Sequence, residues 1–450
     1  MTLRIGWHGN LLMNLNAITD YWPELNQPHL RYDDIQPVIQ ALSQQKGICA
    51  EVVDRSYLGV PIHKLTLGSG PVKIFAWTQM HGDEPTATAA VFDLISHLVD
   101  DNASLPFDAF AQQFSLHVVP MLNPDGAEAN TRFNAQGIDI NRDAVAMQSP
   151  EGRLLRRLVD ELQPDIAFNL HDQNPYYSAG DSSTPATIAF LAPAYDVSKS
   201  INPSRARAMQ LIAVMRHAVE QHIPSHVARY NDDYSYRSFG DKISSLGAST
   251  ILIESGAYRS DPNRQRAREM NVVALLSAIE ALADDSWKSV DCDDYFAIPE
   301  NIEDGLCSLL ITNAQLRQGE QHAAYLADIS IVGSGTSATI KHIGDLSNCA
   351  GFEQIDAGAL ALSTGNPYHL NAPFELEANH YKSLLRDGVT HFVGDATLLQ
   401  NRSGLPVLVV QHPLTHILPE QVSCLLCSSR KGPTRPMLAI IGNNVISLAD

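Results

Sequence analysis

The stretch that decides the fold is VKIFAWTQ-MHGDE-P-TATAAVFDLISHLVDD, residues 72–101. Val72 to Gln79 is an apolar run of strand length, and Thr86 to Asp101 is Ala/Leu-rich at helical spacing. Between them lies a polar, glycine-containing turn, Met80-His81-Gly82-Asp83-Glu84. The same alternation continues outward. FSLHVVPMLN (114–123) reads as a strand. Ser149-Pro150-Glu151 supplies an N-cap, a first-turn proline and an acidic first turn for the amphipathic helix that continues through RLLRRLVDEL. DIAFNL (165–170) and TIAFLA (187–192) are strands before a helix at 204–221. STILIES (249–255) is the next strand, and Asp261-Pro262 is expected to start a helix running through RAREMNVVALLSAIEAL. Buried strands joined by helical crossovers predict an α/β fold, a mixed and largely parallel sheet flanked by helices. Toward the N-terminus, a helix near 34–46 and edge structure are expected.

Past residue 284 the composition shifts. DDSWKSVDCDDYFAIPENIEDG (284–305) is acidic, contains proline and lacks sustained periodicity, so 286–305 reads as a linker closing a catalytic domain of residues 1–285. Beyond it come HAAYLADISIV, SATIKHI, ALALS, GVTHFVG, LPVLVVQ and MLAIIG, separated by Gly/Asn/Pro turns. These predict a smaller, mostly β C-terminal domain over 306–450.

The chain has 450 residues, 44% apolar and 18% charged, an ordinary globular composition that excludes collagen-like, coiled-coil and disordered classes. A formal net charge of -19 leaves no broad basic surface for nucleic acid and repels anionic membranes. No apolar stretch reaches the 18 or so residues that span a bilayer. The first residues, with His8, Asn10, Asn14 and Asn16, lack the apolar core of a secretory signal. The six scattered cysteines do not read as a disulfide framework, so a cytoplasmic location is expected.

Reactive residues gather at predicted strand ends, where open α/β sheets bind ligands. His81 and Glu84, three apart in a turn, can face one metal ion, and His171, at the end of DIAFNL, is the candidate third ligand. Two close ligands plus a distant one leave a position open for water, as a catalytic zinc site requires. Between them lie Asn123-Pro124-Asp125-Gly126, Arg132 and Gly137-Ile138-Asp139-Ile140-Asn141-Arg142-Asp143. Two arginines and an asparagine beside a metal suit a carboxylate-bearing substrate, because guanidinium grips carboxylate as a fork. Glu254 leaves an apolar strand, an exit at which a carboxylate is costly unless paired or functional.

As an ordered set, HxxE, NPDG…R, GxDxNR, a distant His and a Glu late on a strand, the sequence over residues 70–285 resembles the zinc carboxypeptidases of the funnelin type. The resemblance implies one Zn2+ per chain on His81, Glu84 and His171, and Glu254 as general base. It implies that Arg132 polarises the scissile carbonyl, that Asn141 and Arg142 hold the substrate's terminal carboxylate, and that Asp139 orients His81. The implied activity is hydrolysis of the C-terminal peptide bond of peptides with a free carboxylate.

The gap between Glu84 and His171 is short for a digestive-type member, which implies trimmed loops and a more open cleft. The tyrosine that caps substrate in the family has two candidates, Tyr234 and Tyr236. A related group, the succinylglutamate desuccinylases and aspartoacylases, shares the HxxE, Arg and late-Glu logic and often carries an appended β domain. It makes hydrolysis of N-acyl amino acids the second reading, and a carboxylate-binding non-enzyme is a third. The pattern carries no signal for an oligomeric state.

Other signals read as structural. Cys424-Leu-Leu-Cys427 is a single CxxC with apolar neighbours, and Pro413 separates His412 from His416. Gly333-Ser-Gly335 lacks the Gly-Lys-Ser/Thr of a phosphate loop. Asp83 is expected to face solvent, while Asp172-Gln173 suit either a turn or the cleft wall.

Overall fold

A computed structural model describes residues 15–19, 21–317, 322–431 and 435–448. It divides into a larger unit, running to Ile302 apart from Asp181–Ser183, and a smaller one from Glu303 onward that takes in Asp181–Ser183. Of the residues on which the signal-peptide reading of the N-terminus rests, all but Asn16 lie outside this description. No helix among the described residues is long and apolar enough to cross a membrane.

The larger unit is built on one eight-stranded sheet. Its strands are β1 (Ile48–Arg55), β2 (Pro61–Gly68), β3 (Val72–Trp77), β4 (Phe114–Val119), β5 (Ile166–Asp172), β7 (Ile188–Leu191), β8 (Val227–Arg229) and β9 (Ser249–Ser255), while β6 (Ser178–Ala179) pairs separately with Asn301–Ile302. The order is β1-β2-β4-β3-β5-β9-β7-β8. The central four strands, β4, β3, β5 and β9, are mutually parallel, whereas β2 and β7 run antiparallel to their neighbours β4 and β9.

Strand alternation divides the side chains between two faces. Ile74 and Ala76 of β3, Ile166, Phe168 and Leu170 of β5, and Ile251 and Ile253 of β9 share a core with residues of helices Thr86–Leu98, Pro203–Glu220 and Gln265–Asp284. Phe75, Trp77 and Ala167 join a second core with residues of helices Pro150–Leu162 and Phe239–Ser245. The same parity sends Asn169 and His171 of β5, and Leu252 and Glu254 of β9, to the second face. The register sets His171 directly opposite Glu254. Two hydrophilic residues therefore emerge side by side where two apolar strands end.

Helix starts follow local chemistry. Ser149 accepts a hydrogen bond from Gly152 N at 3.0 Å, the predicted N-cap. The last long helix begins at Gln265, three residues later than Pro262. The Asp261 carboxylate accepts from the backbone N–H groups of Gln265 (3.0 Å) and Arg266 (2.7 Å), while Arg264 takes a left-handed conformation at φ 54. These orphan donors are thus satisfied from outside the helix, which delays its start.

The expected linker 286–305 is largely ordered structure of the larger unit. It contains a 3-10 turn at Ser286–Ser289 and a helical turn at Asp293–Phe296, and Tyr295 and Ile298 are buried in the main core. Its acidic composition masks these two apolar residues, which pack into that core beside the partly buried Trp287 and Cys292.

In the smaller unit, Leu306–Leu316, Tyr325–Val332, Thr339–Gly344, Ala350–Asp356, Leu360–Ser363, Cys424–Ser429, Pro436–Ile441 and Asn444–Ser447 make one sheet. Asn366–His369, Val389–Val393 and Val409–Val410 form a second, all-parallel sheet, next in sequence to helix Ala378–Arg386. Cys424 and Cys427 are buried and free, and burial pushes both thiols up to about 12. His412 and His416 are exposed on an irregular segment.

Candidate metal centre

The chain leaves β3 into a turn tied down at each step. Gln79 Nε2 donates to Leu30 O (2.8 Å) and Gly82 O (3.0 Å), and Asn123 Nδ2 donates to Met80 O (3.2 Å). Gly82 is packed so closely that a Cβ there would sit 1.9 Å from the Gly126 carbonyl carbon, so no side chain fits. Asn-Pro-Asp-Gly is the other half of this contact. Asn123 caps helix Pro124–Ala129 by accepting from Gly126 N (2.9 Å), and Asp125 accepts from Ser56 Oγ (2.6 Å) and Leu58 N (2.9 Å). That motif is a scaffold for the His81–Glu84 turn.

The turn brings His81, Glu84 and His171 together, all buried, with ligand atoms within 4.8 Å of one another. Glu84 bridges the two imidazoles, its Oε1 lying 2.7 Å from His81 Nδ1 and its Oε2 2.7 Å from His171 Nδ1. Burial alone would raise the Glu84 carboxyl, but the imidazoles of His171 and His81 outweigh it and hold the group below the ordinary carboxylate range. Two imidazole nitrogens and one ionised carboxylate converging on one point are the donor set of a catalytic zinc ion, and the residues fit that metal. Asp83 between them is exposed.

Around the triad, His81 Nε2 faces Asp139 Oδ1 at 3.2 Å, and Asp139 also accepts from Asn141 N (2.9 Å) and from Arg132 Nε (3.1 Å). Arg132 Nη1 lies 3.5 Å from Glu84 Oε1. Asn141 accepts from Phe239 N (3.0 Å) and turns its amide nitrogen to within 3.5 Å of His171 Nε2. Asn141 thus braces His171 as well as lining the cleft. Arg142 donates from Nη1 to Asn141 O (2.8 Å) and lines the same cleft.

Glu254 stands beside this assembly with its Oε2 buried and without a hydrogen-bond partner. Burial first, and then repulsion from the carboxylates of Glu84 and Asp172, push its carboxyl well above the ordinary range. A carboxylate so placed binds a proton readily, as a general base must.

The sequence-predicted residues His81, Glu84, Arg132, Asn141, Arg142, His171 and Glu254 all line one cleft of about 280 Å³. Asp139 lies behind His81. Tyr234 and Tyr236 do not line it, and Tyr236 is 60% exposed. The cleft tyrosines are Tyr177 and Tyr230, whose ring centroids are 6.1 Å apart. Tyr230 follows the short strand β8, and its N–H donates to Phe190 O (2.8 Å), a tie across strands that sequence spacing does not report. Asp172 also proves more than turn polarity. It accepts from Thr86 Oγ1 (2.7 Å) and Thr86 N (3.3 Å), and burial pushes its carboxyl up to about 6.

Residues 35–238 match the family described as zinc carboxypeptidase. Among curated proteins, Carboxypeptidase SOL1 of Arabidopsis thaliana is 26% identical over 211 residues, covering 39% of this chain and 42% of that protein. Probable carboxypeptidase 2 of Arthroderma benhamiae is 28% identical over 135 residues, covering 29% of this chain and 24% of that protein. The chain therefore spans less than half the length of these curated relatives. Among solved structures, a metallo-carboxypeptidase from Pseudomonas aeruginosa aligns at TM-score 0.46 with 18% identity, over 58% of this chain and 70% of that one. One from Burkholderia cenocepacia aligns at 0.45 with 21% identity, over 57% and 70%. Of the two groups weighed from the sequence, the family matched is the peptidase one.

Proposed function

We propose that this chain, whose residues 35–238 match the zinc carboxypeptidase family, is a zinc-dependent carboxypeptidase releasing the C-terminal residue of peptides with a free carboxylate. The observation that carries this reading is the convergence of His81, Glu84 and His171 with an unpartnered Glu254 and two arginines in one cleft. His81, Glu84 and His171 would hold Zn2+, which would supply a Lewis acid and lower the pKa of water there toward 7.

The chain's own residues do the rest. Arg142 grips the terminal carboxylate of the peptide and so places the last peptide bond beside the triad. Glu254 takes the proton of the attacking water as its oxygen adds to the carbonyl carbon. The same carboxyl then delivers that proton to the departing amine nitrogen as the C–N bond breaks. Arg132, held by Asp139, donates toward the oxygen on which negative charge develops, a role whose loss typically costs about 10²–10³ in rate. Buried Leu191 and Leu252 in the cleft wall favour exclusion of bulk water around a bound peptide.

Arg142→Ala tests the grip. A charged hydrogen bond of the usual strength predicts that KM for free-carboxylate peptides rises by about 10- to 100-fold. Their C-terminally amidated twins, processed poorly by either protein, are expected to show no such change. Steady-state kinetics on matched peptide pairs reads the difference, and an equal effect on both members removes the assignment.

A further inference from the structure

Three segments carry the candidate reactive groups, and each is tied down at a residue just past the group it carries. Thr86 lies two residues beyond Glu84, Asp172 one beyond His171, and Ser255 one beyond Glu254. Asp172 Oδ2 accepts from Thr86 Oγ1 at 2.7 Å and from Thr86 N at 3.3 Å, tying the first segment to the second. Arg264 ties the second to the third. Its Nη1 donates to Ser255 O at 2.6 Å and lies 3.7 Å from Asp172 Oδ2. Gln173 N also donates to Ser255 O (2.9 Å), so β5 and β9 are held together past the end of their ladder.

Arg264 is itself fixed. It occupies a left-handed backbone position, φ 54, that is uncommon for a residue with a side chain, and Asp261 pins the two residues after it. The charges make the same point. Glu84, Asp172 and Glu254 place three carboxyl groups close together, and Arg132 and Arg264 are the cations that act on Glu254. Arg132 faces the triad from the Asp139 side, which leaves Arg264 as the cation at the junction of β5 and β9.

The geometry points to Arg264 as a positioning residue for the reaction: by drawing the Asp172 carboxylate and the Ser255 carbonyl onto one nitrogen, it sets the spacing of Glu254 from the metal-binding triad. This inference rests on the carboxypeptidase reading, and its test separates the two. Because one nitrogen serves both contacts, an ammonium can replace the guanidinium, while a neutral amide cannot hold the carboxylate as strongly.

The experiment compares wild type, Arg264→Gln and Arg264→Lys for kcat, KM, thermal midpoint and Zn2+ affinity by chelator competition. Asp172, which Arg264 holds, donates its N–H to Glu84 Oε2 at 3.3 Å, and such supports of metal ligands typically contribute about 10- to 100-fold to affinity or rate. Arg264→Gln is therefore expected to lower kcat by about 10- to 100-fold and Zn2+ affinity by about tenfold, with KM within about twofold. Arg264→Lys is expected to restore both to within about threefold of wild type. Unchanged kcat and Zn2+ affinity in Arg264→Gln overturns the assignment. So does a Lys variant no better than the Gln variant, or a kcat loss accompanied by an equal rise in KM and a collapsed thermal midpoint. If wild type cleaves no peptide, the proposed function fails, and Zn2+ affinity across the three proteins alone decides the positioning role.

Discussion

Glu254→Gln is expected to lower kcat by about 10²–10⁴, the usual contribution of a positioned general acid–base, while the protein still binds one Zn2+. The substitution keeps the shape of the side chain and removes its ability to take a proton. Glu254 is the suitable group because the other carboxyls of the cleft are already engaged, Asp172 by Thr86, Asp233 by Lys199 and Asp241 by Ser238. Glu84 is engaged by both imidazoles, whereas Glu254 Oε2 is buried without a hydrogen-bond partner. Metal affinity is expected to persist because the three donors do not include Glu254. Peptide turnover measured alongside zinc content by atomic absorption checks both halves. Full turnover in a zinc-loaded variant would remove Glu254 from the mechanism, and loss of zinc would mean that it belongs to the metal site.

Glu84→Gln is the second large effect, and it acts on the metal. The carboxylate offers an oxygen to each histidine at 2.7 Å, whereas an amide offers one oxygen and turns N–H donors toward the other ring. Removing an outer partner of a metal ligand already costs up to about 100-fold in affinity, so changing a ligand itself is expected to cost more. Stability gives an independent readout. At a zinc concentration 100 times its Kd, wild type is expected to gain about 2.7 kcal/mol on binding, and a variant 100-fold weaker gains roughly 0.4 kcal/mol under the same conditions. Thermal or denaturant unfolding with and without zinc measures this difference. An undiminished gain in the variant would mean that the ion sits elsewhere.

The parts of the site legible in the sequence are those set by strand ends. His81 and Glu84 follow directly on the apolar run that becomes β3, and His171 and Glu254 end the runs that become β5 and β9. A hydrophilic side chain at the exit of a buried strand is visible without coordinates because apolar composition marks the strand. What stayed hidden depends on pairing between distant segments. That His171 faces Glu254 follows from β5 lying beside β9, although β6, β7 and β8 come between them in sequence and β7 lies on the far side of β9. Tyr230, rather than Tyr234 or Tyr236, reaches the cleft because the short β8 ends at Arg229, and a three-residue strand has no periodicity to read. Arg264 was concealed for another reason. A helix expected from Pro262 would have put it inside the first turn, whereas Asp261 delays the start and leaves Arg264 free to reach back to Ser255. In the segment 286–305, charge outweighed Tyr295 and Ile298 in the composition, although those two side chains decide where the segment packs.

The central claim is that this cleft removes one residue from the free C-terminus of a peptide. The most direct test is a mass-spectrometric assay of the zinc-loaded protein on a mixture of free-carboxylate peptides, their amidated twins and N-acyl amino acids. The predicted result is loss of a single C-terminal residue from the free peptides, with the amidated twins and the N-acyl amino acids intact. Cleavage confined to the N-acyl amino acids, or equal cleavage of free and amidated peptides, would contradict it.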